Sequence, residues 1–522
     1  MIRPADATVD GAGRPPALAR AGRAWLAAVL VAGLGIRLVG LSNSPFTFHP
    51  TRQFLGLRVA RAEYARGRTD VPVAERRAIE ANGRSAPHLE PRLLEAAVVL
   101  GYRLLGGERI WLAGLISSIV WVLGGACLFL LARRLASDLV AWVAIGIHLF
   151  LPYGVVASRT FQPDPTMVTL LLCALLAAVR YRSAPTTATL ASAAVVSGPA
   201  VLVKPMSVFI VLGGYAAITV ARDGIRRGLV SRGTAVFLLV ALVPAAAFYG
   251  QGIVRGASVA SNAETSFIPA LFTQWAYWSG WIRMIQGTVT TPLAVVALIA
   301  IVVARSRDAR FVLAGMWGGY LVFGLVFNYH IHTHDYYQLQ FIPVAALGVG
   351  LSTDAIAVRV RRMGLSRVTA VALGASLVVL GTSIVYADIG AVRERPVPPA
   401  ATVVAEAEAI GRIVSHSTRT MMLAPAYGWP LGYEGGLSGL SWPTYASGDF
   451  RAMRLNGKAV PSTGELFEAA ARSSDWFVVT DLDELRRQPD LKPLLDTRAR
   501  LVARGAGYLV YDLRGVVPAP AP

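Results

Sequence analysis

The sequence predicts a polytopic α-helical membrane protein of about 11 transmembrane helices with a small C-terminal α/β soluble domain. Three observations carry that expectation. Of 522 residues, 54% are hydrophobic and 16% charged, and the mean hydropathy is +0.52, too apolar for a soluble globular chain and too polar for a bundle of spans alone. Apolar runs near the ~20 residues that cross a bilayer recur as far as residue 387 and then stop. Basic residues gather in alternate connections between those runs.

In chain order the expected spans are 24–41, 110–132, 139–157, 166–181, 187–203, 206–221, 234–250, 289–304, 311–328, 337–354 and 368–387. Residues 1–23 are polar and are read as a cytoplasmic tail before an uncleaved first span. Arg133 and Arg134, Arg180 and Arg182, and the clusters at 222–232, 305–310 and 359–367 then lie in cytoplasmic connections by the positive-inside rule. That places the first loop (42–109), the connections 158–165, 251–288 and 329–336, and the C-terminal domain (388–522) outside a plasma (inner) membrane. The net charge of +19 comes from Arg in these short connectors, which argues against nucleic acid. The two cysteines, Cys127 and Cys173, fall inside apolar runs and read as core packing.

The first loop is long, polar and rich in Arg, Glu and His, opening at 46–53 and closing at 87–92. Such a loop, where other external turns are brief, marks a reaction or binding surface. Residues 251–287 hold Phe267, Phe272, Trp275, Tyr277, Trp278 and Trp281 with Arg283, and read either as an interfacial belt or as a substrate lid. After a linker at 393–399, the tail alternates helix (401–415), strand (420–423), loop (427–445), helix (462–472), strand (476–480), helix (482–495) and strand (507–513), an α/β pattern.

Candidate chemistry lies at the external ends of spans. Arg159 and Lys204 offer positive charge for a phosphate; Asp164 and Glu90 offer general-base capacity. Each also has a simpler reading: Lys204 as a snorkelling anchor, Arg159 and Asp164 as a mutual pair, and Glu90 as the cap of a helix beginning near Arg92. His330, His332 and His334 alternate, which on an extended segment would put them on one face, but no accompanying Cys or Glu spacing supports zinc. Tyr336 and Tyr337 can stack on a sugar or bond a phosphate. A divalent cation bridging Asp164 and a phosphate is chemically sensible, with no clear ligand set in the sequence.

Together the long first loop, Tyr102 to Gly106 entering a span, Ser158 to Asp164, Lys204-Pro205, and His334 to Tyr337 before a late span resemble the polytopic GT-C glycosyltransferases, over roughly residues 24–387. This class includes protein O-mannosyltransferases and lipid A aminoarabinose transferases. The resemblance implies transfer of a hexose or pentose from a polyprenyl-phosphate donor to a lipid, glycan or protein acceptor on the outer face, generally with inversion and with a first-loop carboxylate as base. It also implies that Arg159 and Lys204 face the phosphate and that Asp164 is a second acid. Where many members carry an acidic pair after the first span, this chain reads His49-Pro50-Thr51-Arg52. His49 and Arg52 are then expected to contact substrate, and the base to be Glu90 first or Glu63 second. A transporter or flippase of lipid-linked sugars and an inactive scaffold are the alternatives; critical charges gathered at one face favour the enzyme over the transporter.

Overall fold

The computed structural model describes residues 16–42, 45–46, 48–255, 266–363, 400–446, 449–455 and 459–516. The span expected at 368–387 lies outside the described residues, as do positions 256–265 of the aromatic connection. Among the described residues six helices are long and apolar enough to cross a membrane: Trp111–Leu135, Asp164–Ser183, Ser207–Leu229, Arg232–Val254, Arg307–Val326 and Phe341–Arg362. The shorter apolar helices Asp138–Phe150 and Thr187–Val203 pack among them, and a helix Pro16–Leu38 covers the first expected span. The free thiols of Cys127 and Cys173 face each other between two of these helices, 3.3 Å apart.

The span expected at 139–157 is broken. Pro152 has no N–H for the His148 carbonyl four residues back, so one helix ends at Phe150 and a short one, Pro152–Ala157, follows. Side chains take up the freed carbonyls: Trp121 Nε1 donates to His148 O at 3.0 Å, and Arg37 Nη1 to Leu149 O at 2.9 Å. Arg37, fully buried, also donates to Gly33 O at 2.6 Å and Ser158 Oγ at 2.7 Å. An interior guanidinium needs such acceptors, and these pin the first helix to the break.

The span expected at 289–304 is bent as well as short. Helix Thr291–Val303 meets helix Trp275–Thr288 at 96°. The corner is Thr290, whose φ is 66°, with Pro292 opening the next helix. The aromatic stretch is therefore helical from Trp275 onward, with Tyr277 and Trp281 in the core and Trp275 76% exposed.

The first loop is also more ordered than its polar composition indicated, folding into helices Pro50–Ala65, Val73–Ser85 and Leu93–Leu104. Residues Gln53 to Ala60 are all buried, because the first of these helices is covered on every side. One cover is the C-terminal domain. The Arg61 guanidinium lies 3.3 Å from the centre of the Tyr433 ring and donates to Tyr433 O at 2.6 Å, while the Tyr433 hydroxyl donates to Glu108 at 2.9 Å. Asn82 Nδ2 donates to the carbonyls of Gly432 and Leu437 at 3.2 and 2.9 Å.

That domain holds a five-stranded sheet of order β2-β1-β3-β5-β4, with β1 Thr420–Leu423, β2 Gly439–Ser441, β3 Trp476–Val479, β4 Arg500–Arg504 and β5 Leu509–Asp512. β1 pairs parallel with β2 and β3; β5 pairs antiparallel with β3 and β4. β1, β3 and β5 are buried throughout, flanked on both faces as central α/β strands must be. The expected loop 427–445 contains helix Trp429–Glu434 and β2, the expected helix 482–495 is two helices, Leu482–Arg487 and Leu491–Arg498, and β4 is additional.

Helices Ser207–Leu229 and Arg307–Val326 touch backbone to backbone. A Cβ at Gly315 would lie 2.3 Å from Gly213 O, and one at Gly319 would lie 2.3 Å from Phe209 O. Without a hydrophobic drive between helices in lipid, this close approach of small residues is a principal source of packing energy. Gly315→Val is expected to destabilise the protein by about 1–3 kcal/mol or more, the obstacle being backbone that cannot rotate away. Thermal unfolding of detergent-solubilised protein measures this; an unchanged midpoint would remove the contact from that role.

Candidate active site

Four helix ends supply the site, and proline shapes the first three. The first is the start of helix Pro50–Ala65. Pro50 pre-sets its first turn, and the amides of Arg52 and Gln53 donate to His49 O at 3.0 and 3.2 Å. His49 itself adopts left-handed backbone, φ 43° and ψ 61°, which is uncommon for a residue with a side chain. Gln53 fixes this corner, donating to Phe48 O at 2.5 Å and Pro45 O at 3.1 Å.

The second and third are the start of helix Asp164–Ser183 and the end of helix Thr187–Val203. Asp164 lies in a helical first turn between Pro163 and Pro165, where the amide dipoles favour a carboxylate. Lys204, just before Pro205, is extended as that position requires (φ −155°, ψ 118°) and leaves the helix line. Its Nζ donates to both Asp164 oxygens, at 2.7 and 2.8 Å, and the two side chains are 2% and 1% exposed. The fourth is the turn Asp335–Gln338. Tyr336 and Tyr337 place their ring centres 5.0 Å from Lys204 Nζ.

The closing end of the first loop reaches the same place. Glu90 Oε1 accepts from Arg52 Nη2 at 2.6 Å, and the pair is 14% and 12% exposed. Burial lowers the basicity of Arg52, but Glu90, Tyr336, Asp164 and Tyr337 together more than offset this and hold the guanidinium charged. Arg52 Nε is buried with no hydrogen-bond partner among the described residues. A narrow cleft opens beside these groups, lined by Arg52, Glu90, Glu95, Pro163, Thr166 and Val203.

Of the residues expected from sequence, the structure thus brings together His49, Arg52, Glu90, Asp164, Lys204, Tyr336 and Tyr337. His334 sits at their edge, its ring 5.6 Å from Tyr336, with Nδ1 2.7 Å from Thr333 Oγ1. Burial, with His49 nearby, pushes His334 down to about 4. Arg159 is placed elsewhere: it bonds the Val39 carbonyl and lines a separate cleft with Trp111 and Phe161. Glu63 likewise faces away, paired with Arg66 at 3.0 Å. The histidine run is not extended, because Asn328–Ile331 is a helical turn. Its rings turn to separate partners, His330 to Ser266 Oγ at 3.1 Å and His332 to Asn328 O at 2.6 Å. Among the described residues no group of three His, Cys, Asp or Glu side chains is arranged to hold a metal ion.

Two residues not singled out from the sequence belong to the cluster. Asp335 Oδ1 is 2.5 Å from His49 Nε2; burial pushes the Asp335 pKa up, but the interactions with His49 outweigh that and hold it below the usual carboxylate range. Its adjacency to Tyr336 and Tyr337 was the available signal. Glu95, in the first turn of helix Leu93–Leu104, has its carboxyl pushed up to about 7 by burial, opposed by that turn's amides and by Arg52.

A bundle of proline-broken helices, bearing paired buried charges at one end and capped by a helical first loop and an α/β domain, is the GT-C architecture. Comparison with solved structures agrees. ArnT from Cupriavidus metallidurans bound to undecaprenyl phosphate superposes with TM-score 0.55 at 16% identity, covering 95% of this chain and 99% of that one. The oligosaccharyltransferase AglB from Archaeoglobus fulgidus, in complex with an inhibitory peptide and a dolichol-phosphate, superposes with TM-score 0.52 at 12% identity over 95% of this chain and 75% of its own. Residues 90–250 match the family described as dolichyl-phosphate-mannose-protein mannosyltransferase. No curated protein matches the sequence significantly. The chain is therefore a multi-pass membrane protein of the GT-C fold, and the likeness read from its sequence holds.

Two measurements separate the architecture of this site from its chemistry. Lys204→Met should cost about 3–5 kcal/mol by stranding Asp164, whereas the double change Lys204→Met with Asp164→Leu should recover most of that loss. Equal destabilisation of both variants in chemical denaturation would contradict a buried pair. Glu95 has a folded-state affinity for protons above the ordinary carboxyl value of 4.5, so the folded protein binds more protons than the unfolded chain between 4.5 and about 7. Stability contributed by this group is then present below that window and lost as pH rises through it. Glu95→Gln should flatten the fall in unfolding midpoint across that window, and an unaltered pH dependence would refute the shift.

Proposed function

We propose that this protein is a membrane glycosyltransferase that moves a sugar from a polyprenyl-phosphate donor to a hydroxyl or amine of a lipid, glycan or protein acceptor. The reaction is placed on the outer face of the plasma (inner) membrane, with the N-terminus cytoplasmic and the C-terminal domain outside. The observation that carries this reading is the pair of buried cations with donor capacity in reserve. Lys204 gives two of its three N–H groups to Asp164, and Arg52 keeps Nε unpartnered among the described residues. Both stand where Tyr336 approaches, the Arg52 guanidinium 6.0 Å and Lys204 Nζ 5.0 Å from its ring centre.

In this reading the phosphate of the donor takes those spare donors, and Tyr336 and Tyr337 flank the sugar. The acceptor oxygen or nitrogen bonds to the anomeric carbon as the bond from that carbon to the phosphate oxygen breaks. The electron pair leaves on polyprenyl phosphate, and cations already fixed in a low-dielectric site stabilise it without reorganising. Glu90 and Asp164 hold Arg52 and Lys204 in place. Both Asp164 oxygens are engaged by Lys204, so a divalent cation there would have to displace the ammonium.

Purified protein in lipid nanodiscs tests the reading directly. Arg52→Gln, and Lys204→Met combined with Asp164→Leu, should each weaken undecaprenyl-phosphate binding by about 10- to 100-fold, the loss of one charge-assisted contact of ~1.5–3 kcal/mol. Unchanged affinity in both would sink the phosphate cradle, and failure of wild-type protein to transfer from a panel of polyprenyl-phosphate sugars would sink the transferase.

A further inference from the structure

Both carboxylates nearest the cradle are engaged. Glu90 lies 2.6 Å from Arg52, and Asp164 is held by Lys204 through both oxygens. Either would have to abandon a buried ion pair to accept a proton. A third acid, next in sequence to Tyr336, is in a different arrangement: Asp335 holds the His49 imidazole by Nε2, at 2.5 Å.

We propose, resting on the transferase reading, that His49 is the catalytic base of this protein and that Asp335 is its positioning residue. The arrangement is that of a base whose second nitrogen is fixed by a carboxylate. With Nε2–H donating to Asp335, the lone pair is on Nδ1, which has no hydrogen-bond partner among the described residues. The backbone supports the assignment. His49 is left-handed against the extended preference of a residue before proline, with two amides bonded to its carbonyl, a conformation that a structure retains where surrounding contacts over-determine it. The result sets the ring edge-on between Phe48, at 4.6 Å, and Tyr336, at 4.9 Å between centres.

Exposure separates the two tasks. Side chains of Lys204 and Asp164 are 2% and 1% exposed, whereas those of His49 and Asp335 are 28% and 36% exposed. The cations form the floor, where a lipid phosphate leaves; the dyad stands at the rim, where an acceptor arrives. Tyr336 contacts both, spanning from Lys204 to His49. In the step itself the acceptor proton passes to His49 Nδ1 as the acceptor atom bonds to the anomeric carbon. The imidazolium is stabilised by Asp335, polyprenyl phosphate departs with the electron pair, and the proton is afterwards released to water. A histidine suits this exchange near neutral pH.

The groups facing His49 are Asp335, His334, Tyr336 and Arg52, with Tyr153 beside Asp335 and Lys204 beyond Tyr336. Glu95 titrates at about 7 on the Arg52 side of the cleft, so its contribution must be removed. The experiment is single-turnover transfer in nanodiscs against pH, in full-length protein with Glu95 present and in a Glu95→Gln background. The expected profile in both rises with unit slope to a plateau. His49→Gln, which keeps a donor to Asp335, should slow transfer by about 10²- to 10⁴-fold and abolish the slope, leaving undecaprenyl-phosphate affinity within twofold. Asp335→Asn should slow transfer and move the midpoint to lower pH, which a purely structural contact would not do, and added imidazole should partly rescue His49→Gly. Transfer by His49→Gln within threefold of wild type, or an unmoved slope, overturns the assignment while leaving the transferase intact. A wild-type protein that neither binds polyprenyl phosphate nor transfers would instead overturn both.

Discussion

The buried pair of Lys204 and Asp164 is the constraint around which the rest is built. Two charges taken from water are tolerated only if they meet in good geometry and every neighbouring polar group is satisfied. The sequence meets that demand with proline. Pro163 and Pro165 frame a helix start whose amide dipoles receive Asp164, and Pro205 turns the chain out of its helix at Lys204. The groups released by the second break are taken up locally: Ser207 Oγ donates to Ala200 O at 2.8 Å, and the Tyr249 hydroxyl to Leu202 O at 3.0 Å. A continuous helix at either place could not aim these two side chains at each other.

The same device recurs at Pro152, where Arg37 and Trp121 supply the missing donors. Irregular backbone at membrane depth is acceptable only where protein buries it, so each break also fixes which helices must be neighbours. The site's second charge pair depends on a longer chain of contacts. Arg52 reaches Glu90 because helix Pro50–Ala65 is clamped, Phe54 packing on Tyr433 at 5.5 Å and the Arg61 guanidinium lying over the same ring. The C-terminal domain thus acts on the site by holding the first loop.

Much of the membrane body was legible as apolar runs, because burial in lipid demands them whatever the tertiary detail. The breaks were not. Pro152 was visible, yet hydropathy averages across it, and nothing in composition reports that Thr290 turns the chain through a corner. The first-loop helices escaped because Pro50–Ala65 is buried on all sides and so lacks an apolar stripe, the periodicity that marks a surface helix. β4 escaped for the opposite reason, its alternation being masked by exposure. In the site, residue types placed at one end of the spans were enough to gather Lys204, Asp164, Glu90, Arg52 and the tyrosines. They could not say where a side chain points: Arg159 shares a turn with Asp164 but follows the opposite wall to Val39. Asp335 stands beside three histidines with no spacing that links it to position 49, yet it is the acid that meets His49.

Charge bookkeeping at the site gives a reason for that last contact. Arg52 with Glu90 and Lys204 with Asp164 are two closed pairs, which leaves Asp335 as the carboxylate that neither cation engages, and His49 is the side chain that meets it. In the proposed transfer a phosphate on the floor gains negative charge as its bond to the sugar breaks, and the proton taken by His49 leaves an imidazolium paired with Asp335. On that proposal the leaving phosphate and the new imidazolium each meet an ion of opposite sign already in place, which limits the charge separation that a low-dielectric site penalises.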